Sequence, residues 1–250
     1  NSFGLDATKY VHRICQSADI NVMCGNLYIS GGLFEDHYEN ITNDNKVYRF
    51  YRRYHVDGTI TDDFLENYSV DDALNLEEWD YVFFNQASAQ SGVYDSFQPY
   101  LTNIIDYVKT KQPNAKIALM PTWAYSSDFD DTRFDKYNRD QLTMYNATIE
   151  AYKQAMEEVD FDVIIPAGTA IQNARTDDYL MSIERELTRD GYHLSDAGCF
   201  IAGVAFVKSL INKHTEIDFT PDTLNKKITY VGKVAAENAV INPFRVTEIE

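Results

Sequence analysis

Nowhere does this chain carry an apolar run long enough to cross a bilayer, and no basic-then-apolar leader opens it. A leader removed from a precursor is compatible with that beginning. Basic charge is scarce: 22 Lys and Arg stand against 39 Asp and Glu, a net charge of −17. That balance argues against nucleic acid or an anionic membrane surface as partner, because phosphate binding needs concentrated Lys and Arg. The nearest thing to a basic patch, Arg49, Arg52, Arg53 and His55, alternates with Tyr48, Phe50, Tyr51 and Tyr54 and reads as a strand. Cysteine is rare too. Cys15, Cys24 and Cys199 form no CxxC pair, have no histidine at metal spacing, and are odd in number, which excludes a fully paired disulfide framework. All three read as small buried apolar residues. Asn-x-Ser/Thr triplets at Asn40, Asn67 and Asn146 matter only in a eukaryotic secretory setting. Repeats, linkers and low-complexity segments are absent, so a single domain is expected over residues 1–250.

The 44% hydrophobic content rules out a largely disordered chain. Ala7, Val11, Ile14 and Ala18 recur at helical spacing and predict a helix from Asp6 to about Ala18, with a short strand at Ile20–Met23. Residues 46–61 predict a small hairpin insertion turning at Asp57-Gly58. Tyr81–Phe84, Ile117–Met120 and Val163–Ile165 are nearly all apolar and suit parallel strands buried on both faces. Helical patterns separate them, and a last core helix is expected after Ser195 as N-cap. The alternation predicts a three-layer α/β/α sandwich with a mostly parallel central sheet, flavodoxin-like in its layering. In such sheets reactive groups collect at the carboxyl ends of the strands. Loops 25–32, 85–92, 121–131 and 166–173 are therefore the places to look.

Among His12, His37, His55, His193 and His214, one stands out. Asp190-Gly-Tyr-His193 precedes the last core helix, and its spacing lets the carboxylate fold back onto Nδ1, leaving Nε2 free to face a nucleophile. Asn1-Ser2-Phe3, followed by a helix, puts a hydroxyl at the other end of the chain.

These two blocks, in this order, resemble the nucleophile and Asp-x-x-His blocks of SGNH (GDSL) serine hydrolases. The strings Pro121-Thr-Trp-Ala-Tyr125, Ile164 to Arg175 and Thr188 to Ser195 look like a divergent bacterial branch of unassigned function, so the resemblance runs from Ser2 to about residue 212. It implies an SGNH-type fold and catalysis by Ser2, His193 and Asp190. For the oxyanion hole it implies Gly31, with Gly32 as alternative. Where most members carry Gly-x-Asn-Asp, this chain has Asn85-Gln86-Ala87-Ser88, which makes Gln86, then Asn85, the implied donor. The family's serine also follows a buried strand, whereas only Asn1 precedes Ser2, so a first strand is expected to be missing ahead of Asn1.

The implied function is hydrolysis of a small O-acyl ester, O-acetyl above all, on a carbohydrate, through an acyl-enzyme and without metal or cofactor. Partners would then be a small acyl ester or acylated carbohydrate, and the setting a secreted or periplasmic bacterial one; the oligomeric state is left open. Asn85, His37 and Trp123 are expected to touch substrate, with Trp123 and Tyr125 as a possible aromatic platform. Each residue also has a plainer role: Ser2 as a helix cap, Asp190 as a turn former, Gly31 and Gly32 as positive-φ positions, Gln86 as a buried amide. Three alternatives differ in class: an acyltransferase using the same triad, a non-catalytic carbohydrate-binding module on a decayed hydrolase fold, and a flavodoxin-like flavin binder. Turnover of a small aryl acetate, lost in Ser2→Ala, separates the first from the second.

Overall fold

The computed structural model describes residues 1–183 and 185–249. Two short helices open it, α1 (Ser2–Ala7) and α2 (Val11–Ser17), where the apolar spacing predicts one. The Thr8 hydroxyl donates back to Gly4 O (2.9 Å), a local bond of the kind that competes with helix propagation, and the chain turns before α2. β1 (Val22–Tyr28) and α3 (Phe34–Thr42) follow, then β2 (Tyr48–Val56) and β3 (Thr59–Tyr68). Next come α4 (Val70–Leu74), β4 (Tyr81–Phe84), α5 (Tyr100–Lys111) and β5 (Lys116–Leu119). The chain continues through α6 (Gln141–Glu158), β6 (Val163–Ile164), α7 (Ala167–Ala174) and α8 (Asp178–Ile183). It closes with α9 (Asp196–Leu210) and α10 (Lys226–Ile241).

The expected sandwich around one mostly parallel sheet is not what forms. Among the described residues there are two separate three-stranded sheets, β1-β2-β3 and β4-β5-β6, the first antiparallel and the second parallel. The reason lies in the 46–61 segment. Asp57 and Gly58 take φ of 48° and 82°, the left-handed pair that closes a tight hairpin with the right twist. β1 then pairs along its whole length with β2, from Val22 opposite His55 to Tyr28 opposite Arg49. Its hydrogen bonds go to the hairpin and none reach β4. The arginines of β2 face carboxylates across the hairpin: Arg52 meets Asp63 at 2.7 Å and Arg53 meets Asp62 at 3.1 Å. Such part-exposed pairs contribute little stability, but they neutralise the only basic stripe in the sequence.

The short strands β4, β5 and β6 lie near the three apolar runs. α9 is buried from Ala197 to Lys208 without a break, as expected of a helix that is apolar all round. It packs against α10, α7, α2 and α1. Ser195 caps it by accepting from Gly198 N at 3.3 Å. That cap fixes where the preceding loop, residues 188–194, meets the core. A second cluster, with Phe97, Leu101, Ile105 and Tyr152, fills the space between α5, α6 and the parallel sheet.

Candidate functional site

The 188–194 loop is closed at its base by an antiparallel bridge between Thr188 and Leu194 and by Arg189 N donating to His193 O at 2.9 Å. Gly191 at its tip has φ of +98°, and a Cβ there would stand 2.5 Å from the Phe129 ring, so only glycine fits. A backbone bond from Ser126 N to Gly191 O (2.7 Å) and a side-chain bond from the Trp123 indole N–H to Tyr192 O (2.8 Å) fasten the tip to the loop after β5.

Within this frame Asp190 and His193 meet. Asp190 Oδ2 lies 2.6 Å from His193 Nδ1, and Oδ1 accepts the backbone N–H of His193 (2.8 Å) and of Tyr192 (3.2 Å). Burial disfavours the Asp190 carboxylate, but these three bonds and the facing imidazole outweigh it and hold the carboxyl below its ordinary range. The His193 side chain is 18% exposed, so it is partly open to solvent. Nε2 has no partner among the described residues. An imidazole whose Nδ1 is held by a carboxylate and whose Nε2 is free is a proton acceptor with a fixed tautomer.

α1 lies beside this loop. Phe3 stacks on Trp123 with ring centres 4.1 Å apart and nearly parallel planes, and its ring lies 6.5 Å from that of His193. Asp6 accepts Leu194 N (2.9 Å) and takes both oxygens to Arg189 at 3.1 Å. Burial raises the Asp6 carboxyl, against the pull of Arg189 and that backbone bond. Asn1 caps the helix, its Oδ1 accepting Phe3 N at 3.1 Å. The same Oδ1 takes a hydrogen bond from Asn85 Nδ2 at 2.9 Å, and Asn1 Nδ2 reaches Gly32 O at 3.4 Å. Asn1 therefore ties α1 to the loops after β1 and β4.

Ser2 is half-buried in the first turn of α1, and its Oγ makes no hydrogen bond to His193 or to any other described residue. Gln86 is fully buried and fully used: Oε1 accepts Phe34 N and Ala87 N, while Nε2 donates to Ser96. Gly31 is exposed with φ of +65°. His37 stacks on Tyr48 and bonds its hydroxyl at 2.7 Å through Nδ1; burial lowers its pKa to about 3. Trp123 and Tyr125 are both fully buried, so neither ring offers a face to solvent. The structure thus joins Asp190 to His193 and Asn1 to Asn85, while Gln86, His37 and Trp123 belong to the surrounding packing. Asp6 and Arg189 were missed by the sequence reading. Among the described residues, no group of three or more His, Cys, Asp or Glu is placed to hold a metal ion, and no helix is long and apolar enough to cross a membrane.

The family profile described as "Domain of unknown function (DUF4886)" matches residues 1–239. The chain belongs to the DUF4886 family. A solved structure, the crystal structure of a DUF4886 family protein from Bacteroides uniformis ATCC 8492 at 1.50 Å resolution, is 32% identical. It superposes with a TM-score of 0.92, covering 100% of this chain and 95% of that one. Comparison with curated proteins finds no match. Membership of DUF4886 replaces the SGNH/GDSL resemblance, and with it the esterase, acyltransferase and carbohydrate-module readings. The geometry agrees with that correction. A serine hydrolase needs a nucleophile in hydrogen-bond reach of its base, and in this DUF4886 chain no such bond forms between Ser2 and His193.

Proposed function

We propose that the outer face of the 188–194 loop, with the adjoining turn of α1, is a small-molecule binding site. In it His193 takes a hydrogen bond or a proton from a hydroxyl or amine of the ligand. The observation that carries this reading is the state of the imidazole: Nδ1 is held by Asp190 at 2.6 Å while Nε2 is left without a partner on a part-exposed ring. The hydroxyl of Ser2 is a further polar group on the neighbouring helix α1. A net charge of −17 favours a neutral or cationic ligand over an anion.

The test is imidazole nitrogen NMR with a panel of neutral hydroxyl and amine fragments, beginning with glycerol and ethanolamine. A saturable shift of the His193 Nε2 resonance is expected, with the resonances of buried His12 and His55 unmoved and the response lost in Asp190→Asn. No saturable shift at His193 across the panel would contradict the reading.

A further inference from the structure

A cavity of about 580 Å³ opens where α1 meets β2, the 188–194 loop and the turn before α10. Its lining holds three cations, Lys9, Arg53 and Arg189, against two carboxylates, Asp6 and Asp196. On a chain with 22 basic and 39 acidic residues, that local excess runs against the overall charge. Salt screens exposed charges beyond about 8 Å at physiological ionic strength. A ligand inside the cavity therefore meets the field of these side chains, and little of the net charge of −17.

Both oxygens of each carboxylate are already taken. Asp6 Oδ1 accepts from Nη1 and Nη2 of Arg189, and Oδ2 accepts Leu194 N at 2.9 Å and Arg189 Nη1 at 3.1 Å. Asp196 Oδ1 accepts Lys9 Nζ at 2.5 Å, and Oδ2 accepts the Thr223 hydroxyl at 2.8 Å. The cations still have donors to give. Arg53 spends Nε on Asp62 and Nη1 on Leu5 O, and its Nη2 has no acceptor among the described residues. Arg189 Nε has none there either, and the Lys9 ammonium makes a single bond. The Arg53 side chain is 11% exposed, whereas those of Lys9 and Arg189 are open to solvent, so Arg53 forms the floor and the other two the mouth. Asp62, the carboxylate beside Arg53, is exposed and stands outside the lining.

We propose that this cavity binds a small phosphomonoester, its phosphate oxygens taking hydrogen bonds from Arg53 Nη2, Arg189 Nε and Lys9 Nζ. Saturated acceptors beside unspent cationic donors fit an anion, and bonds between ionised partners are the strong ones. Donors on three separate segments suit a tetrahedral oxyanion better than a planar carboxylate. The volume exceeds that of a phosphate ion, and Leu5, Leu194 and Leu224 supply apolar wall for an organic remainder. His193 does not line this cavity, and the inference is independent of the ligand reading above.

The test is isothermal titration of the 250-residue chain with glycerol 1-phosphate, inorganic phosphate and succinate. Saturable one-to-one binding of glycerol 1-phosphate is expected, weaker binding of inorganic phosphate, and none of succinate. The Kd for glycerol 1-phosphate should rise with added salt, and by at least about tenfold in Lys9→Gln and in Arg53→Gln. Lys9 reaches solvent, so Lys9→Gln keeps the fold and decides the matter even where Arg53→Gln, which also loses its bond to Leu5 O, fails to fold. No saturable binding of either phosphate would overturn the proposal, as would an unchanged Kd in Lys9→Gln. Succinate binding as tightly as glycerol 1-phosphate would show a site for anions at large and overturn the phosphomonoester assignment. Inorganic phosphate binding as tightly would leave no role for the organic remainder and overturn it too.

Discussion

The carboxylate of Asp6 accepts the backbone N–H of Leu194 at 2.9 Å across 188 residues of sequence, and the same carboxylate holds Arg189. α1 and the loop bearing Asp190 and His193 are thereby fixed to one another. An asparagine at this position keeps an oxygen able to accept the same N–H. Asp6→Asn is expected to change unfolding free energy by less than about 1 kcal/mol. Asp6→Ala leaves a buried N–H unpaired and is expected to cost about 1–3 kcal/mol. Urea unfolding of the two variants checks the difference.

Phe3 and Trp123 stack under the site with both rings essentially unexposed. Phe3→Ala removes a fully buried ring and is expected to cost about 3–5 kcal/mol. It should also change the His193 ring resonances, since the two rings are neighbours. Phe3→Leu keeps most of the volume and is expected to cost markedly less. Equal losses for the two would show that the stack does not support the loop.

His12 is buried, its Nδ1 lacks a partner, and desolvation first, with Arg13, Arg53 and His55 adding to it against Asp62, lowers its pKa to about 4. In the unfolded chain a histidine titrates near 6.5. Between those values the unfolded state binds a proton that the folded state refuses, so stability falls as pH drops from about 6.5 towards 4. His37, lowered to about 3, adds a loss of the same sign. The urea midpoint should decline over that range, and His12→Leu should flatten the slope by up to about 1.4 kcal/mol per pH unit. An unchanged slope in His12→Leu would contradict this.

How much of this was legible beforehand depended on how far apart the interacting residues lie. Asp190 and His193 were readable because three intervening peptide bonds suffice to bring carboxylate and ring together. The Ser195 cap and the apolar runs of β4, β5 and β6 were readable for the same local reason. Strand partners were not. β1 carries nothing in its composition that says it will pair with a hairpin residues later and not with β4, and the regular alternation of strands and helices was mistaken for a single sheet. Gln86 follows a strand end, as a site residue would, yet its amide is consumed by Phe34, Ala87 and Ser96. Trp123 looked like a platform and is buried beneath Phe3. The Asp6 contact had one faint signal, a lone acid among Phe3, Gly4, Leu5 and Ala7.

The central claim is that Asp190 fixes the His193 imidazole with Nδ1 protonated and Nε2 free. Nitrogen-15 shifts of the His193 ring at mildly alkaline pH test it most directly. A protonated Nδ1 and an unprotonated Nε2 in the wild type, with that preference lost in Asp190→Asn, is the predicted result. A wild-type ring carrying its proton on Nε2 would contradict it, because the nitrogen offered to a ligand would then be a donor.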